Sequence, residues 1–279
     1  MERSEIAGEL AINADLVRQI LVRFLRAEIT KAGFRRAVVG LSGGLDSAVA
    51  CYLACEALGP EEVLALWMPH HVSSPSSQSD AREVADRLGV RWREIGVGGM
   101  VDALAAQLAD PSASRLGNIM ARCRMVVLFD QSAEFGGLVV GTSNKTELLL
   151  GYGTVFGDMA SAANPLGDLY KTQVRQLAQH LGVPSGIVAK PPTADLWQGQ
   201  TDEDELGFTY AEVDELLYLL VDLRYEPDAA VALGFPPEFV ARVMELIRKN
   251  HFKRRPPVIA KLSRRTIGHD FHYMRDWGL

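Results

Sequence analysis

The sequence predicts an α/β fold, a parallel sheet with helices on both faces. Three observations carry this. Short, continuous apolar runs alternate with helix-length segments, the pattern of strands buried on both sides. The first run leads through a glycine-rich turn directly into an apolar helix. No internal repeat, low-complexity tract or strong linker interrupts the 279 residues, so they read as a single domain with a C-terminal extension.

The elements follow in order. Leu16, Val17, Ile20, Leu21, Phe24 and Ile29 recur at helical spacing, with Asn13 as N-cap and Gly33 as stop, giving a helix over about 13–32. A strand over 36–41 precedes the turn, and a helix over 45–58 follows it, ended by Gly59 and Pro60. VLALWM at 63–68 is a second strand, stopped by Pro69. The serine-rich stretch 70–79 reads as a loop, with a helix beginning at Asp80 and running to Leu88. A third strand fits 90–95, helices fit 100–109 and 117–135, and a fourth strand fits 138–141. A further helix covers 171–181, ended by Gly182 and Pro184. The nucleotide-binding core is therefore placed at about 36–190 and a lid with the C-terminal region at 191–279.

Composition excludes several classes. At 48% hydrophobic residues the chain is globular rather than disordered. No apolar run reaches the ~18 residues that span a bilayer, and residues 1–15 lack a signal-peptide pattern, so cytoplasmic residence is the expectation, with no membrane partner. A net charge of −6 argues against general nucleic-acid binding. Charge is uneven: residues 202–228 are acidic, while 248–265 carry eight Lys and Arg and no acid, a solvated tail or one that closes over a polyanion. The three cysteines form no disulfide framework, and Cys51 and Cys55 read as small buried hydrophobes.

The turn carries the first chemistry. GLSGGLDS at 40–47 places Gly40, Leu41, Ser42, Gly43, Gly44, Leu45, Asp46 and Ser47 between a strand and a helix. Glycines let oxyanions approach backbone N–H groups, and the helix N-terminus favours negative charge. Asp46 would repel phosphates unless a divalent cation lay between them. No lysine follows Gly44, so this is not a Walker A loop. A second segment, GTSNKTE at 141–147, offers the hydroxyls of Thr142 and Ser143 and the hard oxygen ligand Glu147. Asn144 and Glu147 also fit a capping box. Both segments follow strand ends, where ligands of parallel sheets bind. Lys171 opens a helix, a position mildly unfavourable to a cation unless a phosphate offsets it. The long polar stretch 190–207 reads as a lid.

SGGLDS resembles the pyrophosphate loop of the ATP pyrophosphatase superfamily. Together with GTSNKTELLLGYGTVFGD at 141–158, PLGDLYKT at 165–172, KPPTADLWQGQTDEDELG at 190–207 and FKRRPP at 252–257, it resembles the NAD synthetase family over about residues 13–270. That resemblance implies an adenine nucleotide α-hydrolase-like, Rossmann-like fold. It implies amidation of nicotinic acid adenine dinucleotide (deamido-NAD) by ammonia, with ATP cleaved to AMP and pyrophosphate through an adenylated intermediate. Residues 40–47 would bind the ATP phosphates, Asp46 and Glu147 would bind Mg²⁺, and Thr142, Lys171 and Thr193 would contact ATP. Asp46 and Lys171 would be the catalytic pair, with Arg122 and Lys253 toward deamido-NAD. Three positions depart from the family pattern on the substrate side: Val155, Ala162 and Phe252. The synthetase region starts near residue 13, so no glutaminase domain is expected and free ammonia is the implied nitrogen source. The resemblance also implies a homodimer, for which helices 13–32 and 117–135 are the candidate surfaces, and lids at 70–80 and 195–208 that exclude water.

Two rival readings stand beside it. One is another pyrophosphatase, a tRNA thiolase or GMP synthetase-type domain. A thiolase would need a catalytic cysteine pair and a basic surface, whereas Cys51 and Cys55 lie on the helix behind the loop. The other is an ATP-binding module without catalysis.

Overall fold

The structure is a computed structural model that describes residues 3–267 and 270, apart from 194, 198 and 256. At its centre is a four-stranded parallel sheet of β1 (Arg36–Gly40), β2 (Val63–Trp67), β3 (Arg91–Glu94) and β4 (Gly137–Val140), in the order β3-β2-β1-β4. Alternate residues of β1 face opposite sides, as the pleat requires. Ala37 and Val39 join one buried cluster and Val38 another.

Topology decides which helix covers which face. Moving from β1 to β2 to β3, right-handed crossovers put α3 (Leu45–Leu58) and α4 (Pro75–Leu88) on one face, where α2 (Ala14–Lys31) and α8 (Lys171–Leu181) join them. Returning from β3 past β1 to β4 puts α5 (Gly98–Ala105) and α6 (Ala113–Phe135) on the other face. The order of strand addition therefore reverses between β1 and β4, which run parallel to each other. At the carboxyl ends of those two strands lies the crevice that such sheets use for ligands. Fully buried Leu25, Leu53 and Leu177 hold the first face together, each contributing about 1.5–3 kcal/mol.

Local signals explain the helices that set the site. Asn13 caps α2 through its side chain, which accepts from Leu16 N at 3.1 Å, and Lys31 lies in the last turn. Ser112 caps α6, and Gly136, at φ 70°, ends it. After β4 come α7 (Lys145–Leu150), α8 and α9 (Ser185–Ala189), then α10 (Asp202–Leu206), α11 (Tyr210–Leu217), α12 (Pro227–Ala232) and α13 (Pro237–Lys249). The C-terminal helices build a second core with α1 (Arg3–Glu9), around Ile6, Leu150, Tyr170, Leu217 and Phe235.

Several sequence expectations are corrected here. The stretch 70–79 is not wholly loop, because α4 begins at Pro75 with Ser74 as its N-cap. Proline at the first helical position costs no hydrogen bond there. The proposed lid at 195–208 contains the five-residue helix α10, so it is not wholly loop. β3, RWRE, is not an apolar run: it is the sheet edge, and three of its four residues are exposed. Helices α2 and α6 lie on opposite faces of the sheet, so they present separate surfaces.

Candidate active site

The loop between β1 and α3 forms the floor of the site. Gly43 sits at φ 80° and packs under α4: a Cβ there would collide with the Ser77 carbonyl and lie 2.9 Å from its carbon. Only glycine meets both demands. Ser42 and Ser47 tie the loop to itself. Ser42 N donates to Ser47 Oγ at 3.1 Å, the two hydroxyls are 3.0 Å apart, and Ser47 Oγ donates to Gly44 O at 2.9 Å. The first N–H groups of α3 have no partner within that helix and carry the positive end of its dipole.

Three charged side chains from three elements meet above this floor. Asp46 is in the first turn of α3, Glu147 in the first turn of α7, and Lys171 opens α8. Lys171 Nζ contacts Asp46 Oδ2 and lies 3.5 Å from Glu147 Oε1, while its side chain is only 6% exposed. Asn144 binds both acids: its Nδ2 donates to Asp46 Oδ1 at 3.1 Å, and its N donates to Glu147 Oε2 at 3.3 Å. The capping box at 144–147 is therefore real, and Glu147 serves it with one oxygen while turning the other to Lys171.

Burial, then the neighbouring Asp46 carboxylate, pushes the Glu147 carboxyl upward. Burial disfavours the charge on Lys171, but Asp46 and Glu147 more than offset this and hold its ammonium above the usual lysine range. Two enclosed carboxylates thus share one ammonium, a place short of positive charge. The donor set is all carboxylate oxygen, which fits a hard divalent ion such as Mg²⁺.

A buried network orients Lys171 from behind. Lys171 N donates to Thr146 Oγ1 at 3.0 Å, and Thr146 Oγ1 donates to Asp214 Oδ1 at 2.5 Å. Thr172 N donates to Asp214 Oδ2 at 2.9 Å. Asp214, fully buried on α11, thereby holds the first turn of α8, and its burial raises its carboxyl to about 6.

Asp46, Glu147 and Lys171 line a cavity of about 390 Å³. Residues 40–47 except Gly43 face it, with Thr142, Glu147, Lys171, Thr193 and Lys253. Arg122 does not: it is exposed on α6, and its Nε donates to Val155 O at 3.3 Å. Nor do Val155, Ala162 or Phe252 line the cavity. Three cations to which sequence reading gave no role are there instead, Arg124, Arg175 and Lys190. Arg124, two residues along α6, donates to Met68 O at 3.1 Å. Lys190 binds Asp80 Oδ2 at 2.8 Å. Position two along a helix turns a side chain to another face, so spacing from Arg122 was the signal available. Cys51 is buried and its thiol is pushed up to about 12, so it is no nucleophile at neutral pH.

Residues 17–257 match the sequence model of the NAD synthase family. A relative from Trichlorobacter lovleyi, described as NH(3)-dependent NAD(+) synthetase, is 60% identical over 271 residues, covering 97% of this chain and 99% of its own. The chain belongs to the NAD synthase family. Solved NAD synthase-like structures agree in fold. NMN synthetase from Francisella tularensis superposes with a TM-score of 0.81 at 32% identity, over 90% of this chain and 100% of that one. NH3-dependent NAD synthetase from Campylobacter jejuni superposes with a TM-score of 0.77 at 33% identity, with the same coverage.

Proposed function

We propose that this chain amidates the nicotinate carboxylate of deamido-NAD with ammonia, consuming ATP and releasing NAD⁺, AMP and pyrophosphate. The observation that carries this reading is the meeting of Asp46, Glu147 and Lys171 over a glycine loop at a helix N-terminus, where the strand order of a parallel sheet switches direction.

A carboxylate is a poor electrophile, and ammonia cannot expel oxide from it. In the first step a nicotinate oxygen attacks the ATP α-phosphorus and the bond to the β-phosphate breaks, giving an acyl-adenylate and pyrophosphate. In the second, ammonia attacks the carbonyl carbon, loses a proton, and AMP leaves. The N–H groups of residues 45–47 at the start of α3 hold the phosphates, and the Ser42–Ser47 pair fixes the loop's geometry. Lys171 adds a cation to the leaving pyrophosphate. Asp46 and Glu147 would hold Mg²⁺, which supplies further compensation of phosphate charge. Thr142 and Thr193 supply hydroxyls toward ATP, and Lys253 faces the same cavity. Pro191, Pro192, Thr193 and Asp195 line one wall, where Asp195 Oδ2 accepts from Ser74 N at 3.0 Å and Asp202 N donates to Pro192 O at 3.0 Å. Excluding water there protects the adenylate from hydrolysis.

We further propose that the described residues form one synthetase domain, with cytoplasmic residence and no nucleic-acid partner. No helix among the described residues is long and apolar enough to cross a membrane. For a homodimer, the supporting surface is α6, where Val126 is 50% and Phe129 is 42% exposed on the helix that carries Arg122. Arg122 lies outside the cavity, so a dinucleotide reaching it would run along that helix.

The test is incubation with MgATP, ammonium and deamido-NAD, following NAD⁺ and pyrophosphate. Equal yields of the two are expected. Pyrophosphate without NAD⁺, or neither product from protein that still binds MgATP, would refute the reading. Substituting nicotinic acid mononucleotide asks whether the activity named for the Francisella relative is shared, a question raised by Val155, Ala162 and Phe252. Glutamine-supported turnover in ammonia-free buffer would overturn the ammonia assignment.

A further inference from the structure

One cluster with metal-ligand chemistry has no part in the reaction above. His70 and His71 lie just beyond β2, and Asp102 is on α5. His70 Nε2 is 3.7 Å and His71 Nδ1 is 4.0 Å from Asp102 Oδ1, and the three ligand atoms all lie within 4.8 Å of one another. None of the three residues lines the nucleotide cavity.

His70 is the informative member. Its side chain is only 6% exposed, and its Nε2 is enclosed with no hydrogen-bond partner among the described residues. A buried polar atom left unpaired costs about 1–3 kcal/mol. The contact to Asp102 is too long to be a hydrogen bond. A ligand bridging the two would satisfy both.

We propose that His70, His71 and Asp102 bind one divalent transition-metal ion of the zinc class at the root of the loop between β2 and α4. Two imidazole nitrogens and one carboxylate oxygen suit such a borderline ion, whereas Mg²⁺ selects oxygen. Tetrahedral bonds of about 2.0–2.2 Å put ligand atoms roughly 3.4 Å apart. The observed 3.7 and 4.0 Å, and a third separation of no more than 4.8 Å, close by movement of the two mostly exposed residues, His71 at 65% and Asp102 at 61%. His70 is already fixed. Its N donates to Ser73 Oγ at 3.1 Å, its O accepts from Ser73 N at 2.9 Å, and Pro69 O before it accepts from Val97 N at 2.9 Å.

Coordination has a structural consequence. His70 Nδ1 now accepts from Val72 N at 3.4 Å, which puts the ring proton of the neutral form on Nε2. A metal on Nε2 moves that proton to Nδ1, and the long bond to Val72 is given up. The segment affected ends at Ser74, which holds Asp195, and includes Ser73, whose Oγ accepts from Arg124 Nη2 at 3.5 Å. Occupancy therefore acts on the loop bearing one wall of the cavity without the ion entering it.

The experiment is titration of chelator-treated, full-length protein with Co²⁺ in excess Mg²⁺, read by visible absorption, then Zn²⁺ competition by calorimetry. One ion per chain is expected, with a d–d spectrum lacking thiolate charge transfer. His71→Ala and Asp102→Asn, both surface changes outside the cavity, should keep the far-UV circular dichroism and lose at least about tenfold in affinity each. Absence of stoichiometric binding, a thiolate band placing the ion on cysteine, or undiminished affinity in the double variant would overturn the proposal.

Discussion

Asp46 is asked to do two things at once, to accept from Asn144 and to share Lys171 with Glu147. Asp46→Asn keeps the shape and removes the charge. We expect pyrophosphate release to fall by about 10³-fold or more, since charge compensation at a reacting phosphate is worth several kcal/mol. Circular dichroism should be unchanged, and near-normal turnover in this variant would remove Asp46 from the mechanism. The placement of Asp46 beside the glycine loop was legible because that loop adjoins it in sequence, whereas its partners Asn144 and Lys171 come from distant segments. Arg124 and Lys190 were not legible: what brings them to the cavity is contact with Met68 and Asp80, both far along the chain. Lys171 was read as awaiting a phosphate, and two carboxylates already compensate it.

At the scale of elements, two junctions hold the site in register. The first is the contact of the glycine loop with α4. Gly43→Ala introduces both a strained φ and a clash with the Ser77 carbonyl, so a loss of about 1–3 kcal/mol from backbone strain alone is expected, read as a lower melting temperature. An unchanged melting temperature would show that the loop and α4 can separate freely. The second is Asp214. Asp214→Ala strips the acceptor from the Thr146 hydroxyl and the Thr172 amide, both enclosed, and should cost about 2 kcal/mol or more in denaturant unfolding. It should also lower kcat, because Lys171 N hangs on the same Thr146 hydroxyl. Long periodic elements were readable, α2 to within a residue at each end. The start of α4 was not, because serines and a proline signal loop and helix entry alike, and only the Ser74 cap decides between them. α10 hid in an acidic run: its two buried residues, Asp202 and Leu206, stand at helical spacing, but one of them is a carboxylate that reads as solvent-facing.

For the whole molecule, the order β3-β2-β1-β4 separates two families of helices, and only one can face a two-fold partner at a given axis. Assembly through α6 predicts twice the 30.5 kDa chain mass by light scattering, and Phe129→Glu should return it to the monomer value. A wild-type monomer, or a dimer indifferent to that change, would exclude α6. Ile20 on α2, 54% exposed, is the control site on the opposite face. The parallel sheet and its covering helices followed from alternating segments; the pairing of faces did not, since periodicity reports a buried stripe without saying what buries it.

The basic segment after α13 ends up fastened to the far end of α7. Asn250 Nδ2 donates to Leu150 O at 2.9 Å, Arg254 Nη1 to Leu149 O at 2.6 Å, and Lys253 Nζ to Gly151 O at 2.7 Å and Gly153 O at 2.9 Å. The opposite end of that six-residue helix presents Glu147 to Lys171. A protease cut just after α13 would therefore remove no cavity-lining acid and still loosen one, making the integrity of the chain's last tenth a condition for holding the ammonium in place.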